Sequence, residues 1–278
     1  MIKKYIFATL DFIFDEKEDL YFLEANSVPG GMSDAEEVFK GYQPMKEVAD
    51  FMKKQGEELC VISTSRKTKF WVYSHLKRYL PNLRLCYRED NRTNRTYLID
   101  VNNEKFKPSC IYRNGNLICT SFESKIPVIN PKSVVNITLD KIKTYKLVSK
   151  HVNIPEFYVI RNKKQLNSKI KEFGSDFVVK GVCGSYGDET YISKKTGFGY
   201  PCILQKRIFP KKIKNQFWDV RVFIIDGKYN NAVVRLSKNP VTNFCCGAKA
   251  SFLPKRLENK IRNVSEKIVR VIDLEARK

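Results

Sequence analysis

Apolar and polar positions along the chain follow two different periods. Steps of three and four residues between apolar positions predict helices over residues 44–55 and 256–275. Short apolar runs predict strands, for example ELCVIS at 58–63, which we expect to be buried, and CILQK at 202–206. Since strand-like and helix-like segments alternate along most of the chain, the pattern predicts an α/β protein.

Further segments fit the same alternation. We predict helices over 67–80, 140–151 and 163–173, and strands over 83–88, 96–101, 109–113, 157–161 and 176–181. Residues 218–237 predict a β-hairpin, whose Asp226-Gly227 pair suits a type I′ turn. A second hairpin is predicted over residues 10–31, LDFIFDEKEDLYFLEANSVPGG, where an acidic turn joins two strands.

The composition fits one large domain or a few lobes. The chain has 278 residues, of which 42% are hydrophobic, so it can bury a substantial core. The apolar run that begins at Tyr5 is interrupted by Asp11, and no stretch reaches about 18 apolar residues. We therefore expect neither a signal peptide nor a membrane span, and a cytoplasmic location.

Cysteine and histidine usage argues against some kinds of site. The eight cysteines include no CxxC pair, and His75 and His151 are the two histidines. A zinc cluster or a histidine-based triad is therefore not expected, and scattered reduced thiols suit an intracellular chain. Cys183 lies in a glycine-containing loop, but no candidate base accompanies it, so we interpret it as a loop thiol rather than a nucleophile.

The charge balance narrows the class of partner. Fifty-one Lys and Arg stand against 30 Asp and Glu, a formal net charge of +21. Such a charge favours phosphates, nucleotides, nucleic acids or acidic metabolites, without choosing among them. The basic stretches 206–214 and 255–262 would suit a nucleic-acid-binding protein, but no nucleic-acid fold signature accompanies them.

Two groups of polar residues could bind phosphates or stabilise charge. Lys180 precedes a loop with three glycines whose N–H groups could cradle phosphate, although an ordinary surface turn has the same composition. Asp219 and Arg221 would share one strand face with Arg235 on the neighbouring strand, where simple salt bridges are the alternative.

A third group has the character of a metal site. Asp11 on one strand of the first hairpin and Glu24 with Asn26 on its partner could converge. Two carboxylates and an amide oxygen form a hard ligand set that suits Mg²⁺ bridging nucleotide phosphates. A charged hairpin end without a metal is the alternative.

Together these pieces resemble the ATP-grasp superfamily, in particular the branch near ribosomal-protein glutamate ligases and glutathione synthetase-like enzymes. In family order the chain supplies Lys141, Lys180, GSYG at 184–187, LQKRI at 204–208, DVR at 219–221, Arg235 and Asn243. The Mg²⁺ Asp and the E-x-N with PG that close the family pattern stand instead at the N-terminus, as Asp11 and LEANSVPG at 23–30. This is the order of a circular permutation.

The resemblance implies an ATP-grasp fold with a small Rossmann-like domain, permuted so that the last metal-binding hairpin is N-terminal. Residues 1–35 would complete the catalytic lobe and residues 36–130 would form the Rossmann-like domain. Residues 131–205 would form the lid lobe and residues 206–278 the rest of the catalytic lobe. Chain ends often lie close together at a domain surface, so such a permutation is physically reasonable.

By that resemblance, ATP would lie between two lobes. The residues implied to bind it are Lys141, Lys180, Ser185, Gln205, Lys206, Arg207, Ile208, Asp219 and Asn243. The implied ligands of Mg²⁺, or of Mn²⁺ in its place, are Asp11, Glu24 and Asn26. The implied catalytic residues are Arg235, Arg221 and Lys180.

The chain departs from the family pattern at several positions. Lys206 stands where an acidic residue is common, no proline follows Lys180, and Glu189 replaces a glycine. Lys143 competes with Lys141 for the role of the first phosphate lysine. These departures concern adenine recognition and closure of the lid.

The activity implied is an ATP- and Mg²⁺-dependent ligase that joins a carboxylate to an amine or thiol through an acyl phosphate, releasing ADP and phosphate. Two alternatives stay open: a kinase on the same scaffold that phosphorylates a small-molecule hydroxyl, and a basic nucleic-acid-binding protein. The expected partners are an anionic small molecule and an amine or thiol acceptor, with nucleic acid secondary, no membrane, and self-association as in many relatives.

Overall fold

The computed structural model describes residues 5–27, 30–63, 71–91, 97–114, 120–183, 190–193 and 199–278. Within these ranges the chain forms three main sheets with helices packed against them, which confirms the predicted α/β class. In the part of the chain so described, no helix is both long enough and apolar enough to cross a membrane.

The secondary structure elements are numbered in chain order. The strands are β1 Ala8–Phe14, β2 Leu20–Asn26, β3 Leu59–Ser63, β4 Arg84–Tyr87, β5 Leu98–Ile99, β6 Lys105–Phe106, β7 Cys110–Asn114, β8 Val128–Ile129, β9 Phe157–Ile160, β10 Phe177–Gly181, β11 Thr190–Ile192, β12 Cys202–Lys206, β13 Phe217–Ile225, β14 Lys228–Ser237 and β15 Lys249–Phe252. The helices are α1 Met32–Val38, α2 Pro44–Lys53, α3 Trp71–Lys77, α4 Thr120–Glu123, α5 Lys132–Thr138, α6 Lys141–Val148, α7 Lys163–Phe173 and α8 Lys255–Ala276.

The strands assemble into sheets of different types. The largest sheet is antiparallel, with the order β15-β14-β13-β1-β2. A second antiparallel sheet has the order β11-β10-β12-β9, and a parallel sheet has the order β4-β3-β7-β8. Strands β5 and β6 form a short antiparallel ribbon.

The N-terminal hairpin lies inside the largest sheet. Strand β1 pairs with β13 on one side, where Asp11 is opposite Arg221, and with β2 on the other, where Asp11 is opposite Glu24. Because side chains alternate across a strand, Leu10 and Phe12 enter the core whereas Asp11 points to the other face. The hairpin therefore contributes both to the core and to a polar surface.

Two hydrophobic clusters hold the largest sheet. On one face, helices α5, α6 and α8 pack against it, and α8 buries Leu257, Ile261, Ile268 and Ile272 at the predicted spacing. Burial of each such side chain contributes about 1.5–3 kcal/mol relative to exposure. On the other face, helices α1 to α3 and the parallel sheet pack around Phe223.

Several predicted elements are confirmed by the structure. Helix α7 has the predicted bounds and ends at Gly174, which has a φ of 62°. Asp226 and Gly227 have φ angles of 50° and 72°, as the type I′ turn between β13 and β14 requires. The helix predicted over 67–80 is found at Trp71–Lys77, and residues 67–70 lie outside the described ranges.

The sequence patterns did not indicate helices α1, α4 and α5 or strands β6, β8, β11 and β15. Helix α5 reads KSVVNIT, a β-branched run of low helix propensity, and becomes helical because its apolar residues pack into the core between α6 and α8. The predicted domain limits at residues 35, 130 and 205 stay a prediction.

Candidate functional site

A cleft opens between the largest sheet and the second antiparallel sheet. It encloses about 1070 Å³, including solvent at its mouth. Its walls come from β1, β2, β13 and β14 on one side, from β10, β11 and β12 on the other, and from the start of α6 and the loop after β14. The fold thus brings together side chains that are more than 200 residues apart in sequence, such as Asp11 and Arg235.

Lys180 and Lys141 are two of the lysines that line this cleft. Lys180 on β10 is 8% exposed, and its Nζ donates to the Tyr145 hydroxyl at 3.4 Å. Tyr145 on α6 is fully buried and donates in turn to the carbonyl oxygen of Leu23 at 2.5 Å. Nζ of Lys141, at the start of α6, lies 3.9 Å from Oε2 of Glu24. The contacts with Tyr145 and Glu24 therefore orient the two ammonium groups.

The structure separates the two lysines considered for the first phosphate. Lys141 lines the cleft and is half-buried. Lys143 is exposed, is not part of the cleft wall, and its backbone N–H donates to Asp140 Oδ1 at 3.0 Å, which caps α6. Of the two, Lys141 is therefore the one that lies in the cleft.

Strand β12 and the segment after it supply the residues predicted to contact adenine. Gln205 is 2% exposed, and among the described residues its Nε2 has no hydrogen-bond partner. A buried amide donor without a partner is unfavourable by about 1–3 kcal/mol, so this group suits a ligand with an acceptor atom. Lys206, Arg207 and Ile208 continue along the same wall.

Four side chains of alternating charge, Arg221, Asp11, Arg235 and Asp219, contact one another along the other wall. Arg221 donates from Nε and Nη2 to the two oxygens of Asp11, at 2.8 and 2.7 Å. Nη2 of Arg235 lies 3.1 Å from Asp11 Oδ2, and the same guanidinium makes a two-bond pair with Asp219. Asp11, Asp219 and Arg235 are each at most 4% exposed. Since unpaired buried charges are costly, the pairing makes this arrangement possible.

The pKa of Asp11 reflects its neighbours. Burial alone would raise it, but the Arg221 and Arg235 guanidiniums hold the pKa of Asp11 well below its ordinary range. Burial would lower the pKa of Arg235, and the carboxylates of Asp11 and Asp219 outweigh it, so that pKa is raised. Both groups are ionised at neutral pH.

The loop after β14 completes the guanidinium's surroundings. Arg235 Nη1 donates to Asn243 Oδ1 at 3.2 Å, and its guanidinium lies 6.0 Å from the centre of the Phe244 ring. Arg235 is therefore held by Asp219, by Asp11 and by this loop.

The predicted metal ligands lie together. Glu24 lines the cleft, and Asn26 Nδ2 donates to Glu24 Oε1 at 3.1 Å. Both oxygens of Asp11 accept from Arg221, so a cation bound by Asp11 would have to displace this guanidinium in part. No cluster of three or more His, Cys, Asp or Glu side chains suited to a metal occurs among the described residues, and the predicted set has two carboxylates and one amide. Glu24 and Asn26 carry oxygen ligands of the kind that Mg²⁺ prefers, and Asp11 could add another after such a shift.

The structure brings most of the predicted site residues together. Eleven of them line the cleft: Asp11, Glu24, Lys141, Lys180, Gln205, Lys206, Arg207, Ile208, Asp219, Arg235 and Asn243. Arg221 and Asn26 contact it through Asp11 and Glu24, and Ser185 lies outside the described residues.

Sequence reasoning missed Tyr145 and Phe244. Tyr145 occupies an apolar position of a helix and reads as an ordinary core residue. Phe244 lies in an irregular loop without periodicity. Their contacts with Lys180 and Arg235, which the sequence does not show, distinguish them from ordinary core and loop residues.

The sequence model of the RimK-like ATP-grasp domain matches residues 138–276, half of the chain. No curated protein sequence matches this chain. Among solved structures, a putative gamma-glutamylcysteine synthetase from Methylobacillus flagellatus is similar, with a TM-score of 0.61 and 13% identity over 98% of this chain and 90% of that one.

Two further structures share the fold. Carboxyaminoimidazole ribonucleotide synthase from Aspergillus clavatus, complexed with ATP, has a TM-score of 0.52 and 10% identity over 78% of this chain and 63% of that one. The ATP-grasp ligase PsnB, complexed with minimal precursor, Mg and ADP, has a TM-score of 0.50 and 11% identity over 78% of this chain and 82% of that one. With the family match, these likenesses show an ATP-grasp fold, and the chain belongs to the RimK-like ATP-grasp family.

Proposed function

We propose that the protein is an ATP- and Mg²⁺-dependent ligase that joins a carboxylate to an amine or thiol through an acyl phosphate. The observation that carries this proposal is the cleft itself, in which two lysines face a paired array of carboxylates and guanidiniums. Positive groups on both walls suit a triphosphate, and the ATP-grasp fold of the chain supports a nucleotide in this position.

The nucleotide would be held at its two ends. The orphaned Gln205 amide and the backbone through Ile208 would bind adenine. Lys141 and Lys180 would neutralise phosphate oxygens, with Lys180 kept in place by Tyr145. Adenine would thus lie on β12 and the phosphates near α6 and β10.

Attack of a carboxylate on the γ-phosphate requires two anions to approach each other. Bound Mg²⁺, held by Glu24, Asn26 and Asp11, would supply positive charge at the phosphate oxygens. Arg235 and Arg221 project from adjacent strands and would stabilise the charge that develops on the acyl phosphate and on its tetrahedral successor. Because Asp219 already orients the Arg235 guanidinium, little reorganisation of this group is needed during the reaction.

The chain order suggests how this site evolved. We propose that the protein is a circular permutant, in which the hairpin that closes the family pattern has become N-terminal. The position of β1 and β2 beside β13 in the largest sheet supports this proposal. So does the meeting of Asp11 and Glu24 with residues from β13 and β14.

The substrate class proposed is an anionic carboxylate with an amine or thiol acceptor. The net charge of +21 and the guanidiniums beside the phosphate site support an anion. Self-association, secondary binding of nucleic acid and a cytoplasmic location stay predictions.

Phosphorus NMR tests the function directly. The protein is incubated with Mg-ATP and a mixed pool of amino acids, small carboxylates and polyols. Orthophosphate and ADP that accumulate only when a carboxylate and an amine or thiol are both present would support the ligase. Pools that each lack one compound would then identify the substrates. A phosphate ester without orthophosphate would identify a kinase instead, and no ATP consumption in any pool would refute both.

A further inference from the structure

The loop that holds Arg235 carries two adjacent cysteines. Cys245 and Cys246 belong to the single helical turn Phe244–Cys246, and both are exposed. Their sulfur atoms lie 4.0 Å apart. Two accessible thiols at this separation can react with the same reagent.

The buried cysteines have a different chemistry. Cys60, Cys86, Cys110 and Cys202 are buried in the core. Burial raises the pKa of the Cys110 thiol to about 12 and that of Cys202 to about 11. Since the thiolate is the reactive form, these core thiols are inert. Access therefore leaves Cys183 and the loop pair as candidates, and the short distance between two sulfurs distinguishes the loop pair.

The backbone couples this pair to the cleft. The N–H of Cys246 donates to the carbonyl oxygen of Asn243 at 2.9 Å, and the N–H of Ala248 donates to the same oxygen at 3.3 Å. The side chain of Asn243 accepts from Arg235 Nη1 at 3.2 Å. The turn that presents the two thiols is thus the turn that positions Asn243 against Arg235.

We propose that Cys245 and Cys246 form a dithiol modification site, which a small disulfide oxidises to an intraloop disulfide, displacing Asn243 from Arg235 and weakening nucleotide binding. One Cys sulfur, as the thiolate, attacks the small disulfide and releases one small thiol. The second Cys sulfur then attacks the mixed disulfide and releases the other. In balance, two protein thiols become one disulfide and one small disulfide becomes two thiols.

Formation of this bond must change the turn. The sulfurs have to move from 4.0 Å to covalent contact. The α-carbons of adjacent residues are held about 3.8 Å apart across a trans peptide, which is shorter than the usual separation in disulfides. The dihedral angles at Cys245 and Cys246 must therefore adjust, which breaks the bond from Cys246 N–H to Asn243. Arg235 then loses its contact with the loop.

Oxidised glutathione is a suitable probe. The reduced chain is treated with it, and peptide mapping by mass spectrometry locates any disulfide. Hydrogen exchange then reports on the amides of residues 243–248, and calorimetry gives the Kd of Mg-ADP. The same measurements follow for Cys245→Ser, Cys246→Ser and the control Cys183→Ser, which alters another exposed thiol.

We expect a Cys245–Cys246 disulfide, faster exchange in this loop and a Kd raised about tenfold, since displacement of Asn243 removes one of the contacts implied for the nucleotide. A reductant should reverse all three, Cys183→Ser should behave as the wild type, and both loop variants should keep their Kd. Absence of the disulfide, an unchanged loop, or an equal loss of affinity in Cys245→Ser would overturn the proposal. The effect on affinity depends on the proposed function. If the reduced protein binds no Mg-ADP, that function fails, while the peptide map and the exchange data still decide the modification.

Discussion

Opposite charges on neighbouring strands determine the character of the cleft. Asp11 and Asp219 are buried, yet each accepts two hydrogen bonds from a guanidinium. Removing one member of such a pair leaves the other buried without a partner, which is strongly destabilising. Glu24 differs because it is partly exposed and its nearest cation, Lys141, is 3.9 Å away. Substitutions at Glu24 should therefore affect activity, whereas substitutions at Asp11 should affect stability as well.

Glu24→Ala should abolish ATP-dependent turnover and leave the fold intact. The change removes a proposed Mg²⁺ ligand from the cleft wall but leaves the guanidinium pairs in place. Orthophosphate release measures activity, and the urea midpoint measures stability. Glu16→Ala, in the exposed acidic turn of the same hairpin, is the control and should be neutral. Normal turnover in Glu24→Ala would refute the metal assignment.

Tyr145→Phe should weaken nucleotide binding more than it weakens the fold. The variant keeps the ring that packs on Phe22 and Phe157 but removes the acceptor of Lys180 and the donor to the carbonyl oxygen of Leu23. Loss of a hydrogen bond to a charged group corresponds to about 1.5–3 kcal/mol, so the KM for ATP should rise about tenfold or more while kcat changes less. Steady-state kinetics measures this separation.

Tyr112→Phe is the matched control. Its hydroxyl is buried and has no hydrogen-bond partner among the described residues, so the change should not alter KM. An unchanged KM in Tyr145→Phe, or an equal change in both variants, would contradict a positioning role for Tyr145. Addition of Tyr145→Phe to Lys180→Ala should add little, since Tyr145 acts through its contact with Lys180.

The lowered pKa of Asp11 predicts a dependence of stability on pH. Its folded pKa lies below the unfolded value of about 3.9, so the stabilisation is complete above that value and is lost as the pH falls below it. The Asp11→Asn variant has no titrating carboxyl at this position. The difference in unfolding free energy between the wild type and this variant should therefore narrow below about pH 4. Urea unfolding at several pH values measures it. A constant difference across this range would contradict the assignment.

Secondary structure elements differ in how far their own sequence determines them. Helix α7 and the β13–β14 hairpin could be predicted because their end signals, Gly174 and Asp226-Gly227, act locally. Strand β15 reads KASF, which has little periodicity, and forms because it can pair with β14. Helix α5 has strand-like composition, and its packing decides its conformation. Tertiary contacts, which a local pattern does not contain, account for both omissions.

In the candidate site too, some features could be predicted from local sequence and others depend on tertiary contacts. Lys180, Asp219 and Arg235 could be proposed because charged residues within strands are unusual and have defined directions. The contacts of Asp11 with both Arg221 and Arg235 could not be predicted, since they depend on how β1 lies beside β13. The role of Tyr145 depends equally on the distance between α6 and β10.

The turn of the β13–β14 hairpin provides a test of element stability. Gly227 has a φ of 72°, where an L-residue costs roughly 1–2 kcal/mol. An added Cβ would meet only Val269 Cγ1, at 3.7 Å, so Gly227→Ala should lower the unfolding free energy by about this backbone cost. Gly199→Ala is the control, since its Cβ would meet nothing within 4 Å, and should be neutral. Equal urea midpoints for both variants would contradict the strained turn.

For the molecule as a whole, the N-terminal hairpin is part of the central sheet. Strand β1 covers the edge of β13, and its Leu10 and Phe12 belong to the core that helix α8 completes. Removal of residues 1–41 would expose Val220, Val222 and Ile224 at an unpaired strand edge, which favours aggregation. The C-terminal part of the chain should therefore not fold alone.

A permuted chain tests whether the hairpin can be restored from the other end. Residues 1–41 are moved behind Lys278 through a short glycine-serine linker, and the new chain starts at Tyr42. The cut lies between α1 and α2, where Gly41 has open space around it. The backbone N–H of Gly227 donates to the carbonyl oxygen of Ile6, and Gly227 lies beside Val269 of α8. Val269 is about two turns before the end of α8, so the linker can be short.

This permutant should fold and bind Mg-ADP with a Kd within about threefold of the parent, because every strand pair of the largest sheet can form again. The chain of residues 42–278 without the hairpin is the control and should be insoluble or unfolded, since β13 then has no partner on one side. Circular dichroism and calorimetry separate folding from binding. A control that folds and binds nucleotide would show that the hairpin is dispensable. An unfolded permutant would contradict the proposal that the chain is a permuted form of the family order, because it would show that the hairpin must precede the rest of the sheet.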